Sequence, residues 1–161
     1  MMPPQIPKYL ESLEKSRRSR KIADHMAYMT YPMMGDKRLL LKIVDEIYCA
    51  LIGSMNAILQ YEYLKKRINL SDDADYNLKL IFEKCAQRYG ISNEDIYSIR
   101  EFFSLYEQHK KSPIEFQRKD KVVLMSDDFR TKIIDLEKIK KYIFLVRKIE
   151  EKAGFVFSQG F

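Results

Sequence analysis

The chain has few of the residues that bend a backbone: five glycines and five prolines among 161 residues. So small a supply of turn formers makes long helices the economical reading. Cysteine and histidine are scarcer still, at two each. No CxxC occurs, and two cysteines and two histidines far apart give no zinc signature. Cys49 and Cys85 fall inside apolar helical runs, where a reduced, buried thiol is expected. GxxxxGKS/T, GxGxxG, HExxH and GxSxG are all missing, which removes the motif-borne phosphate-loop, dinucleotide, zinc-protease and hydrolase readings. The acid pairs Asp72-Asp73 and Asp127-Asp128 sit in turns, where aspartate does ordinary turn and cap chemistry. No metal and no cofactor is expected. The longest apolar stretch, Ile47 to Leu59, is broken by Ser54 and Asn56 and is too short to span a bilayer. Met1-Met2-Pro3-Pro4 leads into no signal-peptide core, so a cytoplasmic protein without membrane contact is expected.

What the chain does have is globular composition, with 46% hydrophobic and 32% charged residues. That suits one domain over 1–161, with tails at 1–7 and 155–161. The net charge of +6 favours polyanions or acidic partners.

Hydrophobic periodicity predicts a mainly α fold: a bundle of about five helices with a short β-hairpin before the last. The first helix runs over 8–30, ended by Tyr31-Pro32, with Ile22, Ala23, Met26, Met29 and Met33 as its apolar face. A long, buried second helix covers 37–67, with Asp36 as its cap. The third spans 73–89 and stops at Gly90. Ser92 and Asp95 form a near capping box for a fourth helix that reaches Lys111. Residues 121–134 change period and read as a hairpin with a turn at Asp127-Asp128. Asp135 caps a fifth helix over 136–153, ended by Gly154. The tail carries Phe155, Phe157 and Phe161, and docking onto the bundle is expected.

Two basic clusters stand out. Lys15-Ser16-Arg17-Arg18-Ser19-Arg20-Lys21 places cations all round the first helix, with Arg20 spaced to pair with Asp24 and His25 following. His109, Lys110 and Lys111 close the fourth helix, with Arg118, Lys119 and Lys121 soon after and Tyr106 and Phe116 interleaved. Cations, an imidazole and aromatics at a helix exit suit a phosphodiester backbone. His109 is the first choice of acid or base for RNA cleavage, with His25 and its cation Arg20 in reserve. A solvated helix end and a half-buried packing histidine account for the same residues without chemistry. A third feature is the stripe Glu46, Cys49, Gly53, Asn56 and Gln60. It suits either close approach of the first helix or a homodimer seam in which a buried amide fixes register.

The order of elements, with a polar helix bearing Arg20 and His25, a connector and a closing helix, resembles the HEPN superfamily of small helical bundles. Many of its members are ribonucleases or RNA-binding partners, usually dimeric, with an Arg-x4–6-His motif. Arg20 and His25 have that spacing on the first helix; Arg100 and His109 lie late but are separated by eight residues. The segments Ala23-Asp24-His25-Met26-Ala27-Tyr28-Met29-Thr30-Tyr31-Pro32 and His109-Lys110-Lys111-Ser112-Pro113-Ile114-Glu115-Phe116 also look like those of an uncharacterised archaeal protein family. The resemblance implies an RNA-binding protein or metal-independent ribonuclease. A non-catalytic protein-interaction module is the competing expectation.

Overall fold

The computed structural model describes residues 4–111, 114–118, 121–125 and 130–161, with the backbone path alone at 114–118. Its centre is α3, Arg38–Leu64, which buries Leu40, Ile43, Val44, Ile47, Leu51 and Ile58. The cap position falls on Lys37, one residue past the expected Asp36, whose Oδ1 still accepts the Arg38 N–H at 3.0 Å. Antiparallel to α3 lies α1, Lys8–His25. Its contact face is made of small residues, and Ser12 Oγ donates to Gln60 Oε1 at 2.9 Å. Gly53 explains how close the helices come. A Cβ there would stand 3.1 Å from the Ser12 carbonyl oxygen and the Ser16 nitrogen.

The first helix does not stop at Tyr31-Pro32. A π-turn over Met26–Thr30 follows α1, closed by a bond from the Tyr31 N–H to the Met26 carbonyl. The extra residue precedes a short α2, Tyr31–Met34, in which Pro32 occupies the first turn. The missing proline N–H is harmless there. The left-handed Gly35, φ 64°, ends this run. The buried face also differs from expectation. Ala23, Ala27 and Tyr31 are buried, whereas Ile22, Met29 and Met33 are exposed. Against so close a neighbour as α3, alanines fit where longer side chains do not.

Helix α4, Ala74–Leu80, is capped by Asp73, which accepts the Asp75 N–H. A second π-turn, Ile81–Cys85, carries it toward Gly90, φ 62°. The capping box of α5, Asn93–Lys111, forms with aspartate in the glutamate position. Ser92 N–H donates to Asp95 Oδ2 at 3.0 Å, and Asp95 N–H donates to Ser92 Oγ at 3.1 Å.

The expected hairpin is β2, Lys121–Met125, with β3, Thr131–Asp135; its turn lies outside the described residues. A further strand, β1, Ile114–Arg118, pairs antiparallel with β2, giving the order β1-β2-β3. Val122, Leu124 and Ile134 bury one face of this sheet. A two-stranded ribbon alone is marginal, and the extra strand and the helices beneath supply what it lacks.

Asp135 Oδ1 accepts the Lys138 N–H at 2.8 Å and starts α6, Leu136–Gln159. Gly154 does not end this helix. It stays in the helix interior, where an added Cβ would meet Arg17 Nη2 at 2.9 Å. The turn-out comes at Gly160, φ 70°. Of the three late phenylalanines, Phe157 docks, its ring 4.9 Å from Tyr9 and 4.5 Å from Tyr61. Phe155 and Phe161 are exposed. No helix among the described residues is long and apolar enough to cross a membrane.

Candidate nucleic-acid interface

At the exit of α5 the two lysines are matched by acids, and the His109 imidazole lies against one of those acids. His109 Nε2 lies 3.3 Å from Asp45 Oδ1, and Lys110 Nζ lies 3.1 Å from the same oxygen. Lys111 Nζ meets Glu107 at 2.7 Å. Asp45 comes from α3, and nothing in the local sequence around His109 signals it. The Tyr106 ring stacks on Tyr48 with centroids 3.7 Å apart, so one face of that aromatic is taken within the fold. Lys121 is exposed on β2, and Arg118 is its register partner on β1. Lys119 lies outside the described residues.

The basic run of α1 splits in two. Arg20 does not pair with Asp24. Its Nε lies 2.5 Å from Glu150 Oε1, and the side chains are 12% and 2% exposed. Ser16 Oγ donates to the same carboxylate at 2.6 Å. The reason is rotational: residues four apart share a helix face, but position 20 turns toward α6, and α6 offers a buried acid there. Asp24 is instead claimed by Arg147 at 3.0 Å, and Arg17 by Glu14 at 2.9 Å. Arg18 is exposed with no carboxylate partner among the described residues, and Lys21 and His25 share its outward face at i, i+3 and i+7. Arg20 and His25 are therefore not brought together: one points into the core, the other into solvent. His25 is exposed rather than half-buried.

A second basic surface adjoins this face, and the sequence reading missed it. Phe144, on α6, is 68% exposed. Lys140, Lys141, Arg147 and Lys148 surround it at i−4, i−3, i+3 and i+4. Lys140 Nζ also stands 4.9 Å over the ring of Tyr28, which extends the patch to the π-turn after α1. A signal was present. Phe144 falls off the buried stripe of Ile139, Ile143, Val146 and Ile149, and an aromatic left over beside four cations asks for a partner.

The polar stripe on α3 serves the fold at two positions. Gly53 admits α1, and Gln60 binds Ser12. Glu46 is half-buried, while Cys49 and Asn56 are exposed. Cys49 thus departs from the expected buried thiol. Cys85 matches it: burial, reinforced by the Glu62 charge, pushes that thiol up to about 11.

No family model matches the chain, and no curated protein matches it.

Proposed function

We propose that the protein binds single-stranded RNA through the outer face of α1 and α6, without cutting it. The observation that carries this reading is Phe144, uncovered and ringed by Lys141, which has no acidic partner among the described residues, and by Lys140, Arg147 and Lys148, which Glu137, Asp24 and Asp95 partly offset. Cations that track phosphates, interleaved with aromatics that stack bases, are what a sequence-tolerant single-strand binder requires. Arg18 and Lys21 extend the positive surface along α1, and the His25 imidazole shares their face. Cleavage forms no part of the proposal. An arginine–histidine pair works only when both reach one phosphate, and Arg20 is held in the core by Glu150. A HEPN-like bundle is compatible with this reading as a scaffold, without the family's arginine–histidine chemistry.

The test is affinity for a single-stranded RNA oligomer across a salt series. Counterion release makes each lost phosphate contact flatten the slope by roughly 0.7 for a single strand. Arg18→Ala, Lys21→Ala and Lys141→Ala are expected to do so. Lys110→Ala and Lys111→Ala, whose charges Asp45 and Glu107 already offset, are expected to leave it unchanged. The reverse pattern would return the site to the α5 exit.

A second reading rests on a separate observation. Ile22, Met29, Met33 and Met34 form an exposed apolar ridge that RNA does not need. Methionine-rich surfaces of this kind suit a protein partner. Met29→Gln with Met33→Gln, which adds no charge, would abolish such contacts and leave RNA affinity intact.

A further inference from the structure

We infer that the cleft between the first two turns of α5 and the outer face of α6 seats one nucleobase of a single strand, stacked between Tyr97 and Phe144; this rests on the RNA-binding reading above. The cleft is open to solvent on one side, measures about 520 Å³, and is lined by Asn93, Tyr97, Ser98, Lys141, Phe144 and Leu145 and by the carboxylates of Glu94 and Asp95. Tyr97 and Phe144 are 67% and 68% exposed, two large aromatics on facing helices left uncovered beside one cavity. Leu145 is buried and forms an apolar floor. A base offers two flat faces and needs nothing else from such walls.

The edges of the cleft supply the rest of a nucleotide's needs. The Asn93 amide and Ser98 hydroxyl engage in no hydrogen bond among the described residues and can meet the polar rim of a base. Lys141 has no acidic partner among the described residues and is placed for the phosphate. Lys148, by contrast, is held at 2.7 Å by Asp95, which fixes one wall. A duplex keeps its bases stacked inside and presents no free face, so the cleft selects single strands. Because every base has a π-face, the preference among bases is shallow.

Fluorescence anisotropy with three labelled probes tests this: an octamer of uridylate, an abasic octamer of the same backbone, and an RNA duplex. Phe144→Ala and Tyr97→Ala are each expected to lower affinity for oligouridylate by about tenfold, within the range of one lost base stack. Affinity for the abasic strand and the salt slope stay as in the wild type, and Phe144→Tyr retains binding. Both residues are exposed, so the variants fold, and circular dichroism checks that they do. Equal losses on the base-bearing and abasic strands, or no loss, overturn the inference. If Arg18→Ala and Lys21→Ala weaken binding while the aromatic variants do not, the cleft fails and the RNA reading stands. Wild-type protein that binds no RNA sinks both. Phe144-dependent binding to phosphatidylserine vesicles in place of RNA would assign the surface to a lipid headgroup layer and overturn the nucleobase site.

Discussion

Arg20 stands in a run of five cations within seven residues, yet its guanidinium ends beside a buried carboxylate. Neighbours in that run meet different fates: Arg18 faces water and Arg17 pairs with Glu14 on its own helix. A single residue's chemistry is thus set by its angle about the helix axis, 100° per step. Removing one partner of a buried ion pair leaves the other charged and unsolvated, at a cost of about 3–5 kcal/mol. Arg20→Ala is expected to lower the unfolding free energy in urea by about 3 kcal/mol, against less than about 0.5 kcal/mol for Arg18→Ala. Arg20→Met combined with Glu150→Leu should recover most of the loss, because an apolar pair of similar volume leaves no stranded charge. Equal effects of Arg20→Ala and Arg18→Ala would show that the pair does not anchor α1 to α6.

Two glycines separate at the level of elements. Gly53 lies where α1 and α3 touch, and a Cβ there would press on backbone atoms of Ser12 and Ser16. Gly154 also lies inside a helix, but its nearest atom is the far end of the Arg17 side chain, which can swing away. In a helix interior glycine costs roughly 0.5–1 kcal/mol relative to alanine. Gly154→Ala is therefore expected to raise the melting temperature, whereas Gly53→Ala lowers it by forcing the two helices apart. Thermal unfolding followed by circular dichroism at 222 nm reads both. A stabilising Gly53→Ala would mean that α1 is free to shift. In the sequence Gly53 reads as helix interior and Gly154 as a helix end; the structure puts both inside helices, and only the neighbouring element tells them apart.

Across the whole molecule, α5 and α6 are tied by polar contacts as well as by the core. Lys148 Nζ binds Asp95 Oδ2 at 2.7 Å, and the Tyr142 hydroxyl donates to Glu101. Burial and the Glu101 charge push the Tyr142 hydroxyl up, so it stays protonated as a donor. For Asp95, burial raises the carboxyl, but the Lys148 ammonium and the Ser92 N–H and hydroxyl outweigh it and hold the group below its ordinary value. A depressed folded-state value means stability that is present above the unfolded value, about 3.9, and lost as pH falls through the folded one. Asp95→Asn is expected to destabilise by about 1 kcal/mol at pH 7, the size of a lost helix cap. The gap between the two proteins should close as pH drops from about 5 to below 3, measured by urea unfolding at each pH. A gap that persists in acid would mean the Asp95 charge is not what ties these helices.

Apolar spacing, cap residues and turn formers act within a few residues of one another, so the helices over α3, α4 and α5, the Ser92–Asp95 cap and the β2–β3 pairing were legible in the sequence. The end of the first helix was not, because a π-turn hides the effect of Pro32, and neither was the course of α6 through Gly154 to Gln159. The basic clusters were visible as composition, but the carboxylates that offset them were not. Asp45 and Glu150 lie 64 and 130 positions away from His109 and Arg20 in the chain. The surface where Arg18, Lys21 and Lys141 have no acidic partner among the described residues, near Phe144 and Tyr97, draws on three helices. A sequence fixes which residues are charged or aromatic; which of those groups are left facing water is decided by which helices pack against one another.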